Sequence, residues 1–236
     1  MTAPLYSRIE ETLLDRIRRD YRAGQLLPTQ KELAAEFGTS LITVKRALDE
    51  IARKGYLRST RGRGTVVVRP VVPDDRRGLS SWTDSMTGLG RQPRTASCEI
   101  STRIPPPEVA RALGMKARER SVVVRRLRTL DGDPLCLMRN ELPLALAPSL
   151  PREGLTEESL YGWLKRRCAL APHRADEEVE ARRPLPAEVR ALGPETRIVM
   201  VVRRHTWLED GRPLELAEMT APAHRYRYRV EIMRAP

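Results

Sequence analysis

The first 70 residues mark where their own helices begin and end, and that punctuation limits the fold more than any other feature of the chain. Leu5, Ile9, Leu13, Ile17 and Tyr21 recur every fourth residue, with Tyr6 and Leu14 beside them. They lay one apolar stripe along a helix that Gly24 ends. Thr29-Gln-Lys-Glu32 has the form of a capping box: Thr29 covers a free amide of the first turn and Glu32 reaches back to it. The short helix it starts turns Leu33, Ala34 and Phe37 inward and stops at Gly38. Ser40 then caps a third helix whose expected inner face is Val44, Ala47, Leu48 and Ile51, and Gly55 closes it. Tyr56–Thr60 and Thr65–Arg69 read as two strands around Arg61-Gly-Arg-Gly64.

Helix, short helix, tight turn, helix and basic hairpin in that order predict a winged helix-turn-helix. A capped third helix can enter a major groove N-terminus first, and its outer side carries Ile42, Lys45, Arg46, Asp49 and Arg53. At the hairpin tip, Gly62 and Gly64 allow close approach to a backbone, while Arg61 and Arg63 supply charge for phosphates or a minor groove. The alternative is a winged helix that serves protein contacts only. Charge placement supports nucleic acid. The chain of 236 residues has 43 Lys+Arg against 31 Asp+Glu, a net +12, and residues 1–70 hold 14 and 8 of these, or +6. Half the excess thus sits in under a third of the chain, which points to a polyanionic partner there.

These residues resemble a known family. Pro28-Thr-Gln-Lys-Glu-Leu-Ala-Ala-Glu-Phe-Gly38, Thr43-Val-Lys-Arg-Ala-Leu48 and Gly62-Arg-Gly-Thr65 are similar to the DNA-binding domain of GntR-type transcription regulators. The resemblance implies DNA contacts at Lys31, Thr43, Lys45, Arg61 and Gly62; the outer face and hairpin add Ser40, Leu41, Ile42, Arg46 and Arg63. One departure bears on base choice. Where the family carries an arginine after the Ser40 position, reading guanine, this chain has Leu41, whose apolar side chain suits a thymine methyl. Lys31 and Lys45 also replace family arginines, as point charges rather than bidentate forks.

Pro70-Val-Val-Pro-Asp-Asp-Arg-Arg-Gly78 holds two prolines, four charges and a glycine, and reads as a linker over 71–78 between domains at 1–70 and 79–236. The second domain contains a repeat. Glu108-Val-Ala-Arg-Ala-Leu-Gly114 resembles Glu188-Val-Arg-Ala-Leu-Gly193. The strands Ser121–Leu130 and Arg197–Leu208 follow, and each ends in a hairpin turn, at Asp131-Gly and Asp210-Gly, 79 residues apart. Partner strands follow at Leu135–Leu142 and Leu214–Ala221. A helix is expected from about Thr156 to Arg167, with further strands at Pro172–Arg183 and His224–Arg234. The fold class is α+β with an antiparallel sheet.

This order, with Arg126-Leu-Arg128, Ser159-Leu-Tyr161 and Arg225-Tyr-Arg-Tyr228, is similar to the UTRA effector-binding domain of the HutC branch of the same family, a chorismate-lyase-like fold. Arg126 and Arg128 flank one residue on a strand, so both face the same side and could clamp a phosphate or carboxylate; the alternative is a solvated strand face. The resemblance adds Ser159, Tyr161 and Glu215 as effector contacts. It also places Met138 where the family has a glutamate and Ala221 where it has a tyrosine. Losing two polar groups disfavours an amino-sugar phosphate and favours a more apolar anion or a ligand bound chiefly through its acid group.

No apolar run approaches the ~20 residues that span a bilayer. Cys98, Cys136 and Cys168 are odd in number and widely spaced, which argues against a disulfide framework and fits a reducing cytoplasm. His173, His205 and His224 lack metal-ligand spacing. The expectation is a cytoplasmic homodimeric transcription regulator, a repressor and not an enzyme, with no cofactor, metal or membrane partner. It binds a double-stranded operator and a small anionic effector. An effector-blind regulator with a degenerate pocket, and a chorismate-lyase-like enzyme with a DNA-binding head, are the other readings.

Overall fold

A computed structural model describes residues 4–60, 64–76 and 78–230. Arg61, Gly62 and Arg63, named above for DNA contact, lie outside them. The chain divides into two compact units, residues 1–72 and 73–236.

In the first unit, α1 (Leu5–Asp20), α2 (Gln30–Glu36) and α3 (Leu41–Arg53) precede a two-stranded antiparallel wing, β1 (Leu57–Thr60) and β2 (Gly64–Val67). The local signals act as read. Glu32 N–H donates to Thr29 Oγ1 at 3.3 Å while Thr29 N–H donates to Glu32 Oε2 at 2.7 Å, closing the capping box on α2. Gly38 takes φ +59° in the turn to α3, a left-handed conformation that a side chain would disfavour. Leu13, Ile17, Leu33, Val44, Leu48 and Ile51 are buried in one core with Tyr56 and Val67. Leu5, placed on the α1 stripe above, is instead exposed, one turn beyond where the core ends.

The second unit holds a six-stranded antiparallel sheet. Its strands, in chain order, are β4 (Pro93–Arg103), β5 (Ser121–Leu130), β6 (Asp133–Pro143), β7 (Arg174–Arg182), β8 (Val199–Trp207) and β9 (Pro213–Pro222), and they lie in the spatial order β4-β5-β6-β9-β8-β7. A two-stranded sheet pairs β3 (Val72–Arg76) with β10 (Tyr226–Val230). The helices are α4 (Trp82–Gly88), α5 (Pro107–Ala112), α6 (Leu150–Glu153), α7 (Leu160–Cys168) and α8 (Pro186–Leu192).

The sequence repeat is a structural one. β4-α5-β5-β6 and β7-α8-β8-β9 are two copies of the same unit, joined side by side where β6 pairs β9. Arg139 lies opposite Glu218 in that pairing, and these two are also 79 residues apart, so a pseudo-two-fold axis passes between them. At the β5–β6 turn, Asp131 and Gly132 take φ +51° and +90°, the pair of positive values that the tight hairpin requires. One sheet face packs on α6 and α7 through Val122, Val124, Leu142, Leu150, Trp163 and Leu164.

Two expectations change. Val72–Arg76 is a strand rather than irregular linker, because Tyr226–Val230 pairs with it and Tyr226 Oη donates to Asp74 Oδ2 at 2.5 Å. The helix expected from Thr156 begins at Leu160, because Ser159 caps it by accepting from Gly162 N–H at 3.1 Å. Ile232, expected in the last strand, lies outside the described residues.

Candidate functional site

In the first unit, six of the residues named for DNA contact, Ser40, Leu41, Ile42, Thr43, Lys45 and Arg46, gather at the start of α3. Ser40 accepts from Thr43 N–H at 3.2 Å and its hydroxyl bonds that of Thr43 at 2.9 Å. Ser40 thus fixes the helix start, where the free amides and the positive dipole end suit a phosphate. Leu41 and Ile42 are 46% and 81% exposed, an apolar pair with no core to join. Lys45 and Arg46 continue the same face and Lys31 is exposed on α2. The Arg46 guanidinium lies 3.9 Å from the ring centroid of Tyr6, so α1 holds it in place. Arg58, exposed on β1, is a further cation of this unit that sequence reasoning passed over.

In the second unit, a cleft of about 570 Å³, counting its open mouth, lies on the α7 side of the sheet. Its enclosed part is small, about 70 Å³. The cleft straddles the pseudo-two-fold axis. Arg126, Met138 and Asn140 line it from one repeat; Val202, Arg204, Glu215, Ala217 and Met219 line it from the other, with Ser81–Thr83, Leu160 and Tyr161 above. Four of the predicted effector residues therefore meet there: Arg126, Met138, Tyr161 and Glu215.

The other two predicted effector residues stand behind the cleft. Arg128 shares the face of Arg126, as the alternation requires, but is wholly buried. Its guanidinium donates to the Glu158 carbonyl at 2.6 Å, Thr95 Oγ1 at 3.0 Å and Thr83 Oγ1 at 3.1 Å, and sits 4.9 Å from the Trp82 ring centroid. Burial lowers its pKa to about 10, and Glu158 is its carboxylate partner at 3.5 Å. Arg128 is thus a strut that ties α4 and the start of α7 to the sheet. Ser159 caps α7 and donates to Ser81 Oγ at 3.1 Å. Cys136 is fully buried, as its apolar neighbours imply, and burial pushes its thiol up to about 12.

Within the cleft, Arg126 donates to Asn140 Oδ1 at 3.1 Å and to the Glu158 carbonyl at 3.2 Å, both uncharged acceptors. Burial lowers its pKa. Glu215 accepts from Asn140 Nδ2 at 2.9 Å and from the Tyr161 hydroxyl, which also meets Thr206 Oγ1 at 3.2 Å. Burial and the Glu215 carboxylate raise the Tyr161 pKa, so the phenol keeps its proton for that bond. Arg204, missed in the sequence reading, donates through Nε to Glu177 Oε1 at 2.6 Å and through Nη1 to the Ser80 carbonyl at 3.0 Å. Among the described residues, no cluster of His, Cys, Asp or Glu could hold a metal ion.

A capped recognition helix in one unit and a partly charged cleft in the other define the class: a DNA-binding head joined to a sensing domain. The comparisons agree. Residues 5–67 match the family model described as bacterial regulatory proteins, gntR family, and residues 88–227 match the UTRA domain. The HTH-type transcriptional repressor NagR of Bacillus subtilis is 28% identical over 227 residues, covering 95% of this chain and 93% of that protein. The histidine utilization repressor of Pseudomonas putida is 27% identical over 228 residues, covering 95% and 90%. The crystal structure of PhnF from Mycobacterium smegmatis shares the fold with a TM-score of 0.63 at 24% identity, covering 95% and 99%.

The chain belongs to the GntR family of bacterial regulators, in its HutC subfamily, with an N-terminal helix-turn-helix and a C-terminal UTRA domain. It is a DNA-binding transcription regulator of a family that is not enzymatic. No described helix is long and apolar enough to cross a membrane.

Proposed function

We propose that this protein is a homodimeric repressor whose affinity for a two-fold symmetric operator is changed by a small, largely apolar acid bound in the cleft of the UTRA domain. The observation that carries the effector's chemistry is Arg126. Its side chain is buried at 6% exposure and lines the cleft. Both of its hydrogen-bond acceptors are neutral, and among the described residues no carboxylate forms an ion pair with it. A buried charge without a counter-ion is costly, and an acid group on the ligand supplies the missing charge. The three carboxylates that line the cleft already have partners: Tyr161 and Asn140 take both oxygens of Glu215, Arg204 and Tyr228 those of Glu177, and Arg203 donates to Glu218. The apolar part of the lining, Trp82, Met138, Leu160, Val202, Ala217 and Met219, can cover apolar surface but cannot pair a sugar's hydroxyls.

For the operator, Leu41, Ile42, Thr43, Lys45 and Arg46 enter a major groove, with Lys31 and Ser40 at the backbone and Arg61, Gly62 and Arg63 at the wing. Two copies then meet half-sites one helical turn apart. The effector acts by favouring one arrangement of the heads over another, since a ligand with equal affinity for both arrangements shifts nothing.

Thermal shift of the full chain against a panel of carboxylic and phosphoric acids and their neutral amides and alcohols tests the reading. Acids are expected to stabilise and their neutral counterparts not. Arg126→Ala is expected to weaken the acid by at least tenfold, because truncating one side of a buried charge pair costs about 2–5 kcal/mol. Equal stabilisation by acids and neutral analogues would overturn the assignment.

A further inference from the structure

Arg204 occupies a position that the pseudo-two-fold axis relates to Arg126. Arg126 lies opposite Met138 in the β5–β6 ladder and Arg204 lies opposite Ala217 in the β8–β9 ladder, while Met138 and Ala217 are 79 residues apart, the period of the repeat. The two guanidinium groups therefore stand on equivalent strands, one on each side of the cleft, yet their surroundings differ. Arg126 has neutral partners. Arg204 has a carboxylate, Glu177, and the carbonyl of Ser80. Burial works against its charge, and the Tyr161 hydroxyl and Glu177 carboxylate outweigh that and raise its pKa.

Those partners lead out of the cleft to one segment. Ser80 lies just before α4. The second oxygen of Glu177 accepts from the Tyr228 hydroxyl on β10, β10 pairs with β3, and Tyr226 on β10 also bonds Asp74 on β3. Arg204 thus touches the stretch 72–81 at its far end directly and at its near end through Glu177 and Tyr228. That stretch is the one covalent path from the helix-turn-helix to the sensing domain.

We propose that Arg204 is the positioning residue that transmits occupancy of the cleft to residues 72–81: an acid drawn toward Arg126 competes with Glu177 and the Ser80 carbonyl for the Arg204 guanidinium, and release of that clamp loosens β10 from β3. The proposal rests on the reading of the cleft as an acid-binding site. Its physical ground is the geometry of the guanidinium. A bidentate grip on a carboxylate or phosphate uses two N–H groups on one edge, and the Arg204 Nε and Nη1 groups are already committed to Glu177 and Ser80. An incoming acid is also a like charge beside Glu177, which pushes that carboxylate away from the cleft and from its bond to Tyr228. Arg128 cannot play this part, because Thr83, Thr95 and Glu158 hold it fully buried behind the cleft.

The test needs no knowledge of the natural effector. Hydrogen–deuterium exchange is measured on the full chain for wild type, Arg204→Gln, Tyr228→Phe and the double variant. Either single change is expected to speed exchange of the β3 and β10 amides about tenfold, with the β5–β6 amides unchanged. The double variant is expected to exchange no faster than the singles, because both residues act in one chain of contacts. Additive effects, or β3 and β10 exchange equal to wild type, would overturn the proposal. Benzoate and inorganic phosphate serve as probes of the site. Where one binds wild type, judged by thermal shift, it is expected to speed β3 and β10 exchange in wild type and to add nothing in Tyr228→Phe; binding without that change would also overturn it. Failure of both probes and of the wider acid panel to bind overturns the acid-binding reading, whereas the exchange of the ligand-free variants decides the clamp by itself.

Discussion

At the scale of single residues, the first position of α3 sets this protein apart from the pattern it resembles. Leu41 and Ile42 are both exposed at the helix start, where a side chain first meets base edges. Neither side chain can hydrogen-bond, so we propose that they read bases through contact with thymine methyl groups. Leu41→Arg is expected to move the preferred base at the facing position from thymine to guanine. A bidentate arginine–guanine pair discriminates by about 1–3 kcal/mol, or roughly 5- to 150-fold. Selection from a randomised DNA pool with both proteins checks this, and an unchanged base preference would rule it out. Arg46 makes a different case. Its exposure was legible from helical spacing, but the Tyr6 ring that holds it belongs to another helix, and nothing local in the sequence announces the contact.

Among the elements, what could be read from the sequence follows how local each cause is. The caps of α2 and α3 and the turn at Gly38 are decided within four residues, so their signals sit together in the chain. The strands β5, β6, β8 and β9 were legible because a hairpin turn fixes each pair. β4 and β3 were not. β4 is an edge strand whose residues are mostly exposed or half-buried, without clear alternation. β3 exists only because β10, some 150 residues later, pairs with it. The same logic governs the cleft. Arg126 stood out through its alternation with Arg128, whereas Arg204 lies beside Arg203 and only the pairing of the two repeats shows which of them faces inward.

Glu141 shows what such non-local pairing contributes. Fully buried on β6, it accepts from Arg103 of β4 at 2.8 and 2.6 Å and from Ser121 of β5 at 2.7 Å. Burial alone would raise its pKa, but the hydrogen bonds from Arg103 and Ser121 and the Arg139 charge hold it below the ordinary carboxylate value. A carboxylate with a lowered folded-state pKa contributes stability that is fully present above its unfolded value and is lost as pH falls through the folded one. Glu141→Gln is therefore expected to cost about 2 kcal/mol at neutral pH, from lost charge-assisted hydrogen bonds. The gap between variant and wild type should narrow in the acid range. Urea unfolding across pH 3–7 measures it, and a gap independent of pH would contradict the role given to Glu141.

For the whole molecule, the charge excess and the cores divide in the same place. Half of the net +12 lies in residues 1–70, and the compact units separate between Val72 and Pro73. Each unit has its own buried cluster, one around Leu13, Val44 and Ile51 and one around Val124, Trp163 and Leu164. Two cores predict two calorimetric transitions. A ligand stabilises what it binds by RT ln(1 + [L]/Kd), about 2.7 kcal/mol at a hundredfold excess over Kd. That moves the midpoint by roughly 11–22 °C for the small head and roughly 5–11 °C for the larger sensing domain. Operator DNA is expected to raise only the transition of the head, and an acid effector only that of the sensing domain. Allosteric control adds a condition, because the coupling between two sites is reciprocal. If the effector weakens operator binding, then with both present each ligand must stabilise its own unit by less than it does alone, and the two deficits must be equal. Differential scanning calorimetry with operator, effector and both decides the matter. Independent, fully additive shifts would mean that the cleft binds its acid without informing the head.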